Sequence, residues 1–245
     1  NTETGPDGLA GFDAVVNFIG AIKGSRSELW RVNVDLAEHL ATASKTAGVK
    51  HFIHLSSLSV YGQVPRVGHD TPLRPCSLYG QTKEAAEQRL KACSGEDFRV
   101  ALLRIPTIYG GSAPSKLRTL AAILNRLPFL PVPRSSPPRS IISHDNLNRI
   151  LLHLLRTGEE GVLLAADPQP FRLEEFATIV ANPPLPVRVP RAALLPLRWI
   201  SPQMYSSLYE PMVIDSDALL RPVGLPLLPT QTALRNAFGI SREKV

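Results

Sequence analysis

Two rhythms of apolar residues alternate along the first half of this chain. GFDAVVNFIG (11–20) is a short, nearly continuous apolar run that ends in glycine, the pattern of a buried strand. SELWRVNVDLAEHLATASKTAGV (27–49) instead carries its apolar residues at helical spacing and stops at Gly48, a helix-ending signal. KHFIHLSSLSVYG (50–62) reads as a second strand that enters a serine-rich loop. QVPRVGHDTPLRPCS (63–77) is rich in proline and glycine and reads as a loop. A helix follows over SLYGQTKEAAEQRL (77–90), with Ser77 as its predicted N-cap. FRVALLRIPTIYGG (98–111) is a third strand running out into a Pro/Gly loop. Strand, helix, strand, helix, strand, with strands apolar on both faces, predicts a doubly wound α/β architecture around a parallel sheet. Ligands in such sheets sit beyond the carboxyl ends of the strands, where Gly20, Ser56, Ser57, Pro106 and Thr107 fall.

The second half changes character. Prolines crowd LPFLPVPRSSPPRS (127–140) and ANPPLPVRVPRAALLPLRWISPQ (181–203), alternating with Leu, Val and Trp, so packed loops are expected there. A helix near 145–156, a strand at 161–167 and a helix near 173–181 lie between them. The expected organisation is therefore a main domain over 1–111 and a smaller lobe over 112–245, with some of its segments returning to the main sheet.

Composition narrows the classes. Hydrophobic residues make up 44% and charged residues 20% of the 245 residues, values of a globular protein. No run reaches the ~18 apolar residues of a membrane span. The start, NTETGPDGLAG, lacks the basic-then-apolar order of a signal peptide. Net charge is +6, but the basic residues are dispersed and aromatics are only 6%, which argues against nucleic acid and leaves arginines for an anionic small substrate. Cys76 and Cys93 lack CxxC spacing, so neither a disulfide framework nor a zinc site is indicated, and a cytoplasmic location is the default. His51 and His54 form HxxH, but strand alternation sends them to opposite faces.

The candidate chemistry starts at Tyr79 and Lys83. Residues four apart share a helix face, so phenol and ammonium project together. A nearby positive charge favours phenolate and would lower a phenol pKa that is normally about 10. Such a tyrosine exchanges a proton with an alcohol or carbonyl. Ser57, at a strand end, could hydrogen-bond the same substrate oxygen. The bland alternative is a solvated helix face beside a loop serine satisfying backbone groups.

The order of these pieces resembles the extended short-chain dehydrogenase/reductase family, the NAD-dependent epimerase/dehydratase group acting on nucleotide sugars. DAVVNFIG is similar to that family's fourth strand, and RVNVDLAEHLATASKTAGVKHFIHLSS to its NVxGTxxLLxAAxxxGVxxFVxxSS stretch. SVYG, YGQTKEAAE, LRIPTIYGG and RSIISHDNLNRILLHLL resemble later family motifs, the last most like bacterial epimerases and 4-ketosugar reductases of surface-polysaccharide synthesis. The resemblance implies a Rossmann-type fold, NAD or NADP, and a UDP-hexose-type substrate modified at C4. It assigns Tyr79 as acid/base, Lys83 to the nicotinamide ribose, and Ser57 to the sugar oxygen. Phe18, Ile19, Gly20, Asn33, Ser56 and Pro106 would join Tyr79 and Lys83 around the cofactor. Thr107, standing where the family has Asn, and Arg139 would meet the substrate, Arg139 through its diphosphate. Leu58 and Ser59 replace the acidic pair of the family's dehydratases. A homodimer through a bundle including the Tyr79 helix is implied as well.

One departure is large. The family opens with a strand, a GxxGxxG turn and a helix that cradles the pyrophosphate, and no such turn occurs here. The sheet is accordingly expected to be incomplete at its N-terminal side, and the chain to be a fragment or an incomplete gene model. A redox-inactive relative serving as a cofactor-binding scaffold or sensor is the rival reading. WISPQMYSSLYEPM (199–212) is a further candidate for a partner or membrane-surface contact, with core or lid packing as its alternative.

Overall fold

The computed structural model describes residues 6–111, 115–134, 136–180, 182–200, 202–222 and 224–238. In chain order its elements begin with β1 (Ala14–Asn17), α1 (Arg26–Trp30), a π-helical turn over Arg31–Asp35, and α2 (Leu36–Thr46). Then come β2 (His51–Ser57), β3 (Arg66–Val67), α3 (Leu78–Cys93), β4 (Arg99–Ile105), β5 (Thr107–Tyr109) and α4 (Lys116–Leu124). β6 (Phe129–Pro133), β7 (Ile141–Ser143), α5 (His144–Thr157), β8 (Gly161–Leu164), α6 (Leu173–Ala177) and β9 (Leu185–Val189) follow. The chain continues through α7 (Leu195–Ile200), α8 (Pro202–Tyr209), β10 (Val213–Ile214) and α9 (Thr230–Phe238).

β1, β2, β4 and β8 form one parallel sheet in the order β1-β2-β4-β8. Its central strands, β2 and β4, are buried on both faces, as their unbroken apolar runs predict. Phe52, Val100 and Leu102 pack on one face against Ala37 and Ala41 of α2 and Leu90 of α3. Ile53, Leu55, Ala101 and Leu103 pack on the other against Leu147, Ile150 and Leu154 of α5. The architecture is therefore doubly wound and Rossmann-like. Truncating a fully buried leucine such as Leu103 would cost about 2–5 kcal/mol. β8, far along the sequence, closes this sheet beside β4.

The helix read over 27–49 is interrupted. Ser25 caps α1 in a reciprocal arrangement with Glu28, and the π-helical turn separates α1 from α2. The proline-rich stretches hold strands where packed loops were expected: β6 and β9 pair in parallel, with Phe129 opposite Leu185 and Pro131 opposite Val187. Each strand of a two-stranded sheet is an edge, where proline lacks only a bond that no partner would make. The loop over 63–77 likewise contains β3, which pairs with β10 and is clamped by Arg66 on Asp215 at 2.5 Å. The second lobe has its own core, in which Tyr205 and Tyr209 are buried with Phe171 and Phe176. Among the described residues of the 199–212 segment Trp199 stands out of that packing, 87% exposed, and part of the segment lies outside the described residues.

Candidate active site

α3 begins where the serine loop after β2 ends, and glycine sets how close the two come. A Cβ on Gly80 would lie 2.5 Å from the Ser59 carbonyl oxygen. Only glycine lets the first turn of α3 rest on that loop. Ser77 caps the helix as predicted, accepting from the Gly80 N–H at 3.1 Å. Tyr79 is thereby set beside Ser57, whose hydroxyl acts to lower the pKa of the phenol. Ser57 also accepts from the Ser59 amide at 3.2 Å and the Ser59 hydroxyl at 3.0 Å, which holds its oxygen in place.

The phenol's acidity departs from the sequence reading. Burial raises the Tyr79 pKa above its usual value, and the Ser57 hydroxyl offsets only part of that. Lys83 does not supply the expected depression, because its ammonium position is turned down into the sheet. Lys83 is buried, with Nζ 2.6 Å from the Leu55 carbonyl oxygen and 2.8 Å from His54 Nε2. Burial lowers its own pKa to about 8, opposed by the nearby Glu87 carboxylate.

Beneath Lys83, Glu87 receives the Arg104 guanidinium through Nε at 3.0 Å and Nη2 at 2.6 Å. Arg104 also donates to Tyr61 Oη at 2.7 Å. Ser56, assigned by resemblance to the cofactor, points to this side. Alternation along β2 separates it from Ser57, and its hydroxyl donates to Glu87 at 2.5 Å. Asn33 lies in the π-helical turn, a device common at functional sites. Its amide accepts from the Ala21 N–H at 2.7 Å and donates to the Ala21 carbonyl and the Thr82 hydroxyl, both at 2.9 Å. Asn33 thus pins the loop after β1 to α3.

Phe18 and Ile19 are exposed at that loop, 59% and 45%, although both are apolar. A Cβ on Gly20 would meet only Asn33 Oδ1, at 3.6 Å, so the chain's own packing does not require a glycine there. Pro106 and Thr107 follow β4 at the same edge of the sheet, with Ile105 in register with Ser57. Arg139 is not among these residues. It is largely buried in the second lobe, and its guanidinium donates to the carbonyls of Ser206, at 2.9 Å, and Glu210 at the end of α8. Burial lowers its pKa, against the nearby Glu210. The HxxH histidines do face opposite ways, His51 to the Glu159 carbonyl and His54 to Lys83.

The sequence reading missed His54, Asn17, Glu87 and Arg104. Glu87 was within reach of it: positions 79, 83 and 87 recur every four residues, so α3 presents Tyr, Lys and Glu on one face. A separate cleft of about 350 Å³ near α6 and α9, lined by Phe171, Glu175, Thr230 and Arg235, shares no residue with this site.

Residues 4–163 match the family described as the NAD dependent epimerase/dehydratase family. This chain belongs to that family. A curated relative in this region is an uncharacterized protein of Sinorhizobium fredii, 27% identical over 157 residues. That alignment covers 61% of this chain and 44% of the relative, so the chain spans under half of the relative's length. Solved structures of similar fold include a UDP-glucuronic acid 4-epimerase from Bacillus cereus in complex with NAD. It is 18% identical with a TM-score of 0.69, and the match covers 95% of this chain and 75% of that one. A UDP-Glc/GlcNAc 4-epimerase from Campylobacter jejuni is 20% identical, with a TM-score of 0.70 and coverage of 93% and 76%. RMD from Pseudomonas aeruginosa, complexed with NADPH, is 20% identical, with a TM-score of 0.70 and coverage of 95% and 84%. At these identities the likeness speaks for the fold of this epimerase/dehydratase-family chain. Among its described residues no helix is long and apolar enough to cross a membrane.

Proposed function

We propose that this chain carries the hydride-transfer site of an NAD- or NADP-dependent enzyme working at C4 of a UDP-hexose-type nucleotide sugar. It acts as an epimerase or 4-ketosugar reductase, in surface-polysaccharide synthesis. The observation that carries the reading is the meeting of Ser57, at the carboxyl end of β2, with Tyr79, in the first turn of α3, where the hydroxyl acts on the acidity of the phenol. A UDP-glucuronic acid 4-epimerase solved with NAD, a UDP-Glc/GlcNAc 4-epimerase, and RMD solved with NADPH, all of similar fold, support it. A cytoplasmic location and a homodimer built through α3 belong to the same reading.

The residues present fit the nicotinamide end of a dinucleotide. Phe18 and Ile19 offer exposed apolar surface after β1, beside Gly20, where an added Cβ would meet only Asn33 Oδ1 at 3.6 Å. No GxxGxxG turn occurs in the sequence, so no residue here is assigned to the pyrophosphate. When bound, the nicotinamide supplies the hydride acceptor and donor. Tyr79 takes the proton of the sugar hydroxyl and returns it to the ketone. Ser57 donates to the same oxygen and orients it. Phe18, Ile19 and Pro106 exclude water from the transfer, and Asn33 keeps the loop that carries the first two in place. Ser56 supports this edge from below through Glu87. Thr107 offers one hydrogen bond to substrate. Arg139 reaches a diphosphate only through guanidinium nitrogens that the α8 carbonyls leave unused.

The test is Tyr79→Phe in the full-length protein, assayed with NAD or NADP and UDP-hexose or 4-ketosugar nucleotides. Turnover is expected to fall about 10²–10⁴-fold, and undiminished turnover would overturn the reading. The raised Tyr79 pKa and the tethered Lys83 favour the rival of an inactive scaffold or sensor. That rival gives bound-nicotinamide fluorescence with no turnover of any keto sugar nucleotide by the unmutated protein.

A further inference from the structure

His54 lies under the proposed site, and counting its donors and acceptors leaves one consistent arrangement. Asn17 Oδ1 accepts from the Ile19 N–H at 2.9 Å, which fixes the orientation of the Asn17 amide. Its Nδ2 therefore faces His54 Nδ1, at 3.1 Å. An amide nitrogen only donates, so Nδ1 carries the lone pair and Nε2 carries the proton. That Nε2–H points at Lys83 Nζ, 2.8 Å away. On its other side Nζ lies 2.6 Å from the Leu55 carbonyl oxygen, which only accepts. An ammonium has no lone pair to receive Nε2–H, and a neutral imidazole cannot offer lone pairs to both neighbours. The hydrogen bonds close only if Nζ is an uncharged amine that accepts from His54 and donates to Leu55.

We infer that His54 is a positioning residue for Lys83, donating Nε2–H to an uncharged Nζ and so coupling protonation of the lysine to its release from the strand. The surroundings agree. His54 is fully buried, and burial holds it neutral well below the usual histidine pKa, a charge on Lys83 acting the same way whenever it is present. Lys83 is brought to about 8 by burial, against Glu87. Among the described residues the charged group that acts on the pair is Glu87 of α3, itself paired with Arg104 of β4. When Lys83 takes a proton, two N–H groups oppose each other and the side chain must leave His54. Its way out follows α3 toward Tyr79, one turn back, where an ammonium would stabilise phenolate. Tethered, Lys83 leaves the phenol weakly acidic; released, it becomes the group that the proposed reaction needs. The inference concerns a lysine of the proposed site, but its test does not use the reaction.

The experiment is a pH titration by NMR of the full-length protein without cofactor, following the His54 ring nitrogens and ¹³Cε of Lys83. Lys83→Met identifies the lysine signal. The expected result is an Nε2–H tautomer with unprotonated Nδ1, neutral on both sides of a Lys83 transition near about 8. His54→Gln supplies the second reading. A carbonyl oxygen has two lone pairs and serves Asn17 and an ammonium together. The Lys83 midpoint should therefore rise by about one pH unit or more, a tenfold change in proton affinity. An Nδ1–H tautomer, a Lys83 that stays ammonium at and above its expected midpoint, or a midpoint unmoved in His54→Gln would each overturn the inference. Tyr79→Phe turnover decides the enzymatic reading separately.

Discussion

Removing the Arg104 guanidinium would strand a buried carboxylate beneath the proposed site. Glu87 and Arg104 side chains are 1% and 7% exposed, and their closest contact is 2.6 Å. Burial lowers the Arg104 pKa, but hydrogen bonds and charge from Glu87 outweigh it, so the guanidinium ends above its ordinary value. Taking both ions out of water is costly, and their contact with Ser56 and Tyr61 offsets that cost only while every partner is present. Arg104→Met removes the charge, keeps much of the stem's apolar contact, and leaves Glu87 with Ser56 as its hydrogen-bond donor. The expected loss is about 3–5 kcal/mol. With a urea dependence of about 1–3 kcal/mol per molar, the unfolding midpoint drops by more than about 1 M.

Arg104→Met/Glu87→Met removes the stranded charge as well. Its remaining defects are the unpaired Ser56 and Tyr61 hydroxyls, so the double variant should be more stable than Arg104→Met alone. The pH dependence has a definite sign. In Arg104→Met the folded state binds a proton on the isolated carboxyl more readily than the unfolded chain does. Its deficit is therefore full at neutral pH and shrinks as pH falls toward the carboxylate range. Equilibrium urea unfolding of the three proteins at two pH values is the assay. If Arg104→Met costs under about 1 kcal/mol, or if the double variant is the less stable, the reasoning about buried charge fails here.

Two further predictions concern neighbouring groups. Lys83 has a folded-state pKa lowered from 10.5 to about 8, so between those values the unfolded chain binds more protons and stability rises with pH. The stability difference between the unmutated protein and Lys83→Met should climb by up to about 1.4 kcal/mol per pH unit there, and a flat difference would refute the depressed pKa. Asp167, buried at the start of α5, accepts from Tyr109 Oη at 2.5 Å, the Ser143 amide at 3.0 Å and Asn146 Nδ2 at 2.7 Å. Asp167→Ala should cost about 3 kcal/mol or more in thermal or urea unfolding, whereas Asp167→Asn, which can still accept and donate, should recover most of that; equal losses would refute it.

The main sheet was legible because strands buried on both faces leave unbroken apolar runs, and because Ser77, Gly48 and the Pro/Gly loops punctuate them. The placing of Ser57 beside Tyr79 was legible because spacing and strand ends are local signals, whereas the turn of Lys83 toward His54 and the Leu55 carbonyl was not. The direction of the Tyr79 shift was not, because it depends on burial, a property of the whole fold. Nor were β6 and β9. Proline makes a poor strand former by sequence, and only the pairing of Phe129 with Leu185 turns those stretches into a sheet. Ser56 and Ser57 show the limit at its sharpest. Adjacent and chemically identical, they point to opposite faces of β2, one to a buried carboxylate and one to a phenol.

The same alternation explains why His54 read as inert. HxxH invites a metal reading, and sending the two histidines to opposite faces removes it. Yet the face that separates His54 from His51 is the face it shares with Ser56, toward α3. On that face α3 presents Tyr79, Lys83 and Glu87 at steps of four. Strand period and helix period therefore meet: positions 54 and 56 of β2 oppose positions 83 and 87 of α3, His54 to Lys83 and Ser56 to Glu87. Each contact joins a hydrogen-bonding group on the strand to an ionisable group on the helix, and the outermost helix group, Tyr79, is met by Ser57 as the strand ends. The ladder thus fixes which buried groups face one another, while Tyr79 at its outer end answers to its own burial and to Ser57.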